Sequence, residues 1–261
     1  MEPIAKRRGT RPIVGVGRVL LWSGGSLWIG HETGLANQHA HHAIQISLAL
    51  RGCFAMADST GTWRQHAGAI VMPHQRHQFD GQGSDTAMVF VEPETPVGRA
   101  LLLRFGAQAI TPLEPQTAEA MVAALRRNFE GGADDGALIA DSRRALSVLI
   151  DALPTAAAVD PRIERAIAWM RARLQSPLSL AEVAAQAHLS PSRFRHLFVA
   201  QTGVSLRAYL LWARVESAIG AGMAGRSWTA AAQEAGFADS AHLSRTCRRM
   251  FGIAPAMLVR A

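Results

Sequence analysis

Histidines and arginines carry most of the chemistry this sequence offers, and they are segregated. Seven of the ten His fall between positions 31 and 77. In Gln38-His39-Ala40-His41-His42-Ala43-Ile44-Gln45, His39 and His41 share one face of an extended segment, because side chains repeat every two residues, and Gln45 has the same parity. Further on, a strand-like run ends at Met72-Pro73 and is followed by His74 and His77. Neutral imidazoles and an amide oxygen are ligands for a divalent ion such as Zn, Fe, Ni or Cu. His39, His41 and Gln45, with a His from the later run, are therefore candidate ligands. The alternative is a metal-free polar pocket in which they satisfy one another.

The second chemistry lies near the other end. Ser190-Pro191-Ser192-Arg193-Phe194-Arg195-His196-Leu197-Phe198 has an echo in Ser240-Ala241-His242-Leu243-Ser244-Arg245-Thr246-Cys247-Arg248. Each reads as a short helix after a helix and a tight turn, apolar on one face, with Arg, His and Ser on the other. Those polar types bond base edges in a DNA major groove. The pair is read as two recognition helices, with Arg195 and Arg245 as counterparts.

Charge supports that division. Residues 1–159 hold 14 Lys+Arg and 14 Asp+Glu, whereas residues 160–261 hold 13 Arg and 6 acids, so the last hundred residues account for the whole net charge of +7. A polyanion partner for the C-terminal part alone follows. The 261 residues leave room for about two domains on a prior of roughly 150 residues each. Cys53 and Cys247 fall in different parts, so neither a disulfide nor an oxidising compartment is expected. No apolar run is long enough to span a bilayer, and no signal core follows the basic start at Lys6, Arg7, Arg8 and Arg11. The expectation is a cytoplasmic protein without membrane contact, with residues 1–12 a flexible arm.

The elements that must position these residues follow from periodicity. Short apolar runs at 19–22, 27–30, 43–50, 52–56, 69–72 and 86–91, separated by turns and without helices, predict an all-β sandwich or barrel over 13–92. From 93 to 153 the period changes to that of helices, with candidates at 97–105, 114–129 and 138–153. Left uncovered, their apolar stripes would make a dimer interface. Residues 154–160, small and bounded by prolines, read as a linker. Asp160-Pro161, the capping box Ser179-x-x-Glu182 and Ser190-Pro191 each start a helix, and a long helix from Ser205 leads to a second copy.

Two resemblances rest on these residues. The spacing from His41 through Gln45 to Gly52, with the later Gly68-x-x-x-x-Pro73 and His77, resembles the cupin pattern, with Gln45 where metal-binding cupins carry Glu. Residues 161–261 resemble the AraC/XylS family of bacterial transcription regulators. The motifs are Ser190-x-x-x-Phe194-x-x-Leu197-Phe198-x-x-x-x-Gly203, Tyr209-x-x-x-x-Arg214-x-x-x-Ala218, Gly236-Phe237-x-x-x-x-x-Leu243-Ser244-Arg245 and Phe251-Gly252-Ile253-x-Pro255. His188 in place of Gly, Cys247 in place of Phe and Leu258-Val259 in place of Tyr-Arg depart from that pattern.

Together the resemblances imply an N-terminal all-β cupin-like barrel, connecting helices, and a C-terminal all-α domain with two helix-turn-helix units. Base contacts would fall on Ser192, Arg195 and His196, with Arg193 nearby, and on Ala241, His242, Ser244 and Arg245. Arg248 and Arg249 would meet phosphate. The barrel mouth would take a small-molecule effector at His39, His41, Gln45 and His77, the set that the cupin resemblance also implies for a divalent ion, with Trp63 for stacking and Arg76 as an anion contact. Double-stranded DNA, RNA polymerase and a second copy of the chain are the implied partners. Two other readings stand beside this ligand-controlled regulator. One is a metal-dependent cupin enzyme fused to a nucleic-acid domain, against which Gln45 counts; the other is a constitutive DNA-binding protein with the barrel as scaffold.

Overall fold

A computed structural model describes residues 14–151 and 159–260. The expected arm, and the expected linker apart from Val159 and Asp160, lie outside them. Among the described residues eleven strands form two sheets, and nine helices cover one sheet and form the C-terminal region. The large sheet has the order β10-β7-β4-β9-β2-β1-β11, the small one β3-β8-β5-β6. The strands are β1 (Val14–Trp22), β2 (Gly25–Thr33), β3 (Leu35–His39), β4 (Ile44–Ala49), β5 (Phe54–Ala57), β6 (Trp63–His66), β7 (Gly68–Val71), β8 (His77–Asp80), β9 (Ser84–Val91), β10 (Ile110–Pro112) and β11 (Leu258–Arg260).

The large sheet is a middle layer, which is why its strands are apolar on both faces rather than alternating. In β4 every residue is buried. Ile44, Ile46 and Leu48 face helices α1 (Pro96–Phe105), α2 (Pro115–Glu130) and α3 (Asp135–Ile150), where Leu101, Met121, Leu125 and Leu146 complete one core. The apolar stripes of these helices therefore pack on the sheet. On the opposite face Trp28, Met88 and Phe90 meet Phe54, Met56 and Phe79 of the small sheet.

Six further helices follow: α4 (Pro161–Arg171), α5 (Leu180–Gln186), α6 (Pro191–Thr202), α7 (Leu206–Met223), α8 (Trp228–Glu234) and α9 (Ser240–Phe251). Their starts are capped as the sequence requires. Ser179 and Glu182 close a capping box, and Ser190, Ser205, Ser227 and Asp239 each accept a backbone N–H one turn on. Phe194, Phe198, Val183, Met170 and Tyr209 form a core of their own.

The second half of this region has no separate core. Trp212, Val215, Ile219, Phe237, Leu243, Cys247 and Phe251 belong to the same cluster as the interior of the two sheets. The C-terminal region is also not all-α. After Phe251 a short 3-10 turn, Pro255–Met257, leads into β11, which pairs in parallel with β1 (Gly15 with Leu258, Val16 with Val259). Parallel pairing between strands this distant leaves no local sequence signal. Among the described residues no helix is long and apolar enough to cross a membrane.

Candidate functional site

The residues proposed to read DNA lie on α6 and α9. Both helices have 12 residues, and both end in a left-handed glycine, Gly203 (φ 76°) and Gly252 (φ 72°), the conformation that only Gly adopts freely. Aligning these caps superposes buried Phe194 on Leu243 and buried Phe198 on Cys247. Arg195 then corresponds to Ser244 and His196 to Arg245, so the expected equivalence of Arg195 and Arg245 is one position out. Arg195 and Arg245 coincide when each segment is counted from its opening Ser190 or Ser240, but the buried positions set the register.

Ser192, Arg193, Arg195 and His196 are exposed; so are Ala241, Arg245, Arg248 and Arg249, with His242 and Ser244 half-buried. Neither helix carries an acid, and among the described residues none of these five Arg enters an ion pair. The i, i+3, i+4, i+7 stripe of α6 is Ser192, Arg195, His196 and Val199. Val199 is 41% exposed, unusual for Val, and was missed because it reads as a core residue. The matching stripe of α9 is Ala241, Ser244, Arg245 and Arg248. The sequence reading also passed over Arg207: with Arg245, Arg249 and His242 it lines an open groove of about 600 Å³ between the start of α7 and α9. Arg214, by contrast, is structural, donating to the carbonyls of Leu174 (2.9 Å) and Ser176 (3.0 Å).

The turns feeding the two helices differ. Gly236 takes φ 81°, and a Cβ there would lie 2.3 Å from the Leu174 carbonyl oxygen. In the first turn His188 adopts φ 53° itself. The turn accepts a side chain there because His188 points outward.

The histidine cluster forms, but by a different route from a shared strand face. β3 ends at His39 and β4 begins at Ile44, so His39 sits in the small sheet opposite His77 while Gln45 sits in the large one. The break between the strands lets His39, His41 and His77 converge, each offering a ring nitrogen within 4.8 Å of the others. Each Nδ1 faces a backbone carbonyl, of Asn37 (2.7 Å), Ala43 (2.8 Å) and Gln75 (3.0 Å) respectively. A carbonyl only accepts, so each Nδ1 carries the hydrogen. Burial pushes the pKa of His39 down to about 4 and of His41 to about 3, and that of His77 well below the usual range. These neutral rings then have bare Nε2 atoms, and those of His41 and His77 lie 2.8 and 3.2 Å from Gln45 Oε1. Lone pairs cannot face one another unrelieved. Either the Gln45 amide turns so that its NH₂ donates to both rings and its oxygen accepts from Ser47, or a cation sits among them.

Trp63 and Arg76 do not join this group. Trp63 lies on the edge strand β6, Arg76 is exposed, and neither lines the adjoining cavity. Sequence distance brought them close to the His residues, but strand pairing carries them away. Cys53 and Cys247 are free thiols; burial raises Cys247 to about 12.

The neutral imidazoles have a consequence for stability. Their folded pKa values lie below the unfolded value near 6.5, so the unfolded chain binds more protons in acid. The metal-free protein is expected to lose stability as pH falls from about 6.5 to about 4, by about 1.4 kcal/mol per pH unit for each ring kept neutral. Urea titrations at several pH values measure this.

The exposed, acid-free stripes on two capped helices fit a helix-turn-helix domain. Residues 183–261 match the family model described as a helix-turn-helix domain. The chain is 25% identical over 226 residues to LumQ of Photobacterium leiognathi, a probable transcriptional regulator, covering 83% of this chain and 89% of that one. It is 34% identical over 100 residues to YidL of Escherichia coli, an uncharacterized HTH-type transcriptional regulator; the match covers 38% of this chain and about a third of that protein, 34%. In fold it is similar to ToxT from Vibrio cholerae, with TM-score 0.58 at 10% identity over 92% of this chain and 97% of that one.

Proposed function

We propose that this chain reads two successive major-groove segments of promoter DNA with α6 and α9, and that a small molecule bound inside a cupin-like N-terminal barrel controls it. The observation that carries the DNA half is the pair of matched stripes: Ser192, Arg195, His196 and Val199 on one helix, Ala241, Ser244, Arg245 and Arg248 on the other. Arg bonds guanine O6 and N7 bidentately, and Val199 suits a thymine methyl. Arg193 and His242 flank the stripes, and Arg207 with Arg249 suits a phosphate between the two segments. RNA polymerase, a second copy of the chain and the cytoplasm belong to the same reading.

Arg195→Ala and Arg245→Ala are each expected to weaken specific binding by about 1–3 kcal/mol and to relax preference at one base. Electrophoretic titration on a site selected from random DNA measures both; equal weakening on random DNA would refute base reading. Arg248→Ala is expected instead to weaken binding similarly across sequences and to reduce the slope of log K against log salt by about 0.9, as loss of a phosphate contact does.

ToxT has been solved with an unsaturated fatty acid bound, which supports an effector role for the N-terminal region here. The His cluster also fits a divalent ion. His39, His41 and His77 would supply Nε2 and Gln45 its Oε1, with every Nδ1 held by a carbonyl as ligating His usually are. Zn²⁺ is expected to raise the melting temperature of the full chain but not of His41→Ala; equal shifts would remove the site.

A further inference from the structure

A cavity of about 40 Å³ lies beside the His cluster, between the sheets. Its walls are aromatic and apolar, from Trp28, Phe79 and Phe90 on the sheets and from Phe251, Ile253 and Leu258 of the C-terminal region. Three polar side chains interrupt them, His39, Gln45 and Glu32, and among the described residues no Lys or Arg lines the space. Glu32 is the unexplained one. Among the described residues its buried Oε2 has no hydrogen-bond partner and the side chain enters no ion pair. Burial raises its pKa to about 7 despite the neighbouring Thr86 hydroxyl. A carboxyl kept unpaired inside an aromatic box is costly to the fold, and it is relieved by a ligand that donates to it.

We infer that this cavity binds a small apolar molecule that carries a hydrogen-bond donor and no negative charge, an amine or an alcohol, with the donor on Glu32. A carboxylate would meet another carboxyl and, among the described residues, no cation. The volume fits only a few water molecules, since one needs about 10–15 Å³, so anything larger enters by pushing back Ile253 and Leu258. Ile253 lies two residues beyond α9, and Leu258 opens β11. Backbone bonds from Asn37 N to Gly252 O (3.2 Å) and Ala40 N to Arg249 O (3.5 Å) tie the end of α9 to the strand that bears His39. Ligand entry therefore strains the attachment of the second reading helix, and the inference rests on the regulator reading above.

The test titrates the full chain with 2-phenylethylamine, 2-phenylethanol and 3-phenylpropanoate by calorimetry, with DNA binding of the unliganded protein measured in parallel. The amine or the alcohol should bind at least about tenfold more tightly than the carboxylate. Glu32→Gln, which keeps the shape and removes the charge, should erase most of the amine's advantage while leaving the fold intact. Leu258→Ala, which widens the mouth, should strengthen whichever probe binds. Preference for the carboxylate, no binding by any probe to either the native chain or Leu258→Ala, or an unchanged amine affinity in Glu32→Gln would overturn the assignment. Loss of DNA binding in the unliganded chain would instead sink the regulator reading itself.

Discussion

Phe251→Ala is expected to destabilise the whole chain by about 3–5 kcal/mol, the range for deleting a buried aromatic side chain. Phe251 is the last residue of α9, yet its ring lies 4.8 Å from that of Trp28, 5.7 Å from those of Phe90 and Trp212, and 6.1 Å from that of His41. It is a joint between the β-rich and helical regions. Removing it opens a cavity in a core that both share, so the loss should appear as one cooperative shift in urea unfolding, followed by near-UV circular dichroism from Trp28 and Trp212 together. Phe194→Ala, in the separate core of the first unit, provides the control. Were Phe251→Ala to unfold the helical region while leaving the Trp28 signal at its native midpoint, the shared core would be wrong.

The second large effect is electrostatic. Arg171 of α4 pairs with Glu92 at the end of the β region and with Glu216 of α7 (3.1 Å), and its Nε donates to the Tyr209 hydroxyl (3.3 Å). The two carboxylates keep side-chain exposures of only 5% and 9%. Taking away one partner of a buried pair leaves uncompensated charge, which costs about 3–5 kcal/mol. Arg171 retains 31% exposure, so Arg171→Met should fall at the lower end, about 3 kcal/mol. Burial already raises the pKa of Glu216, against the opposing pull of Arg171. Without Arg171 it rises further, so the unfolded chain is the more readily ionised state. The variant's deficit should therefore shrink as pH is lowered, and should shrink also on adding Glu216→Gln. A deficit independent of pH would show that Arg171 acts through packing alone.

Much of this architecture was legible. Caps at Asp160, Ser179, Ser190 and Ser205 fixed helix starts because each satisfies an otherwise unpaired backbone N–H, a local requirement. The strands 43–50 and 86–91 were visible as apolar runs. What escaped was non-local: β11, whose partner β1 lies at the other end of the chain, and the merging of the second unit's core with the sheets. Helical periodicity reports that a face is buried, not what buries it. The same limit affected the sites. His39, His41, Gln45 and His77 were found from parity and spacing, although a strand break rather than a common face brings them together. Glu32 was invisible, since a lone Glu near a strand end reads as surface until the fold encloses it. Trp63 and Arg76 were placed by proximity in sequence, which antiparallel pairing does not respect.

The most direct test of the central claim is hydroxyl-radical footprinting of the full chain on a DNA site selected from a random pool. Two protected stretches are expected on one face of the duplex, centred about one turn or roughly 34 Å apart. Arg195→Ala should weaken only the stretch read by α6, and Arg245→Ala only the one read by α9. A single protected stretch, or both variants weakening the same one, would contradict reading by two matched helices.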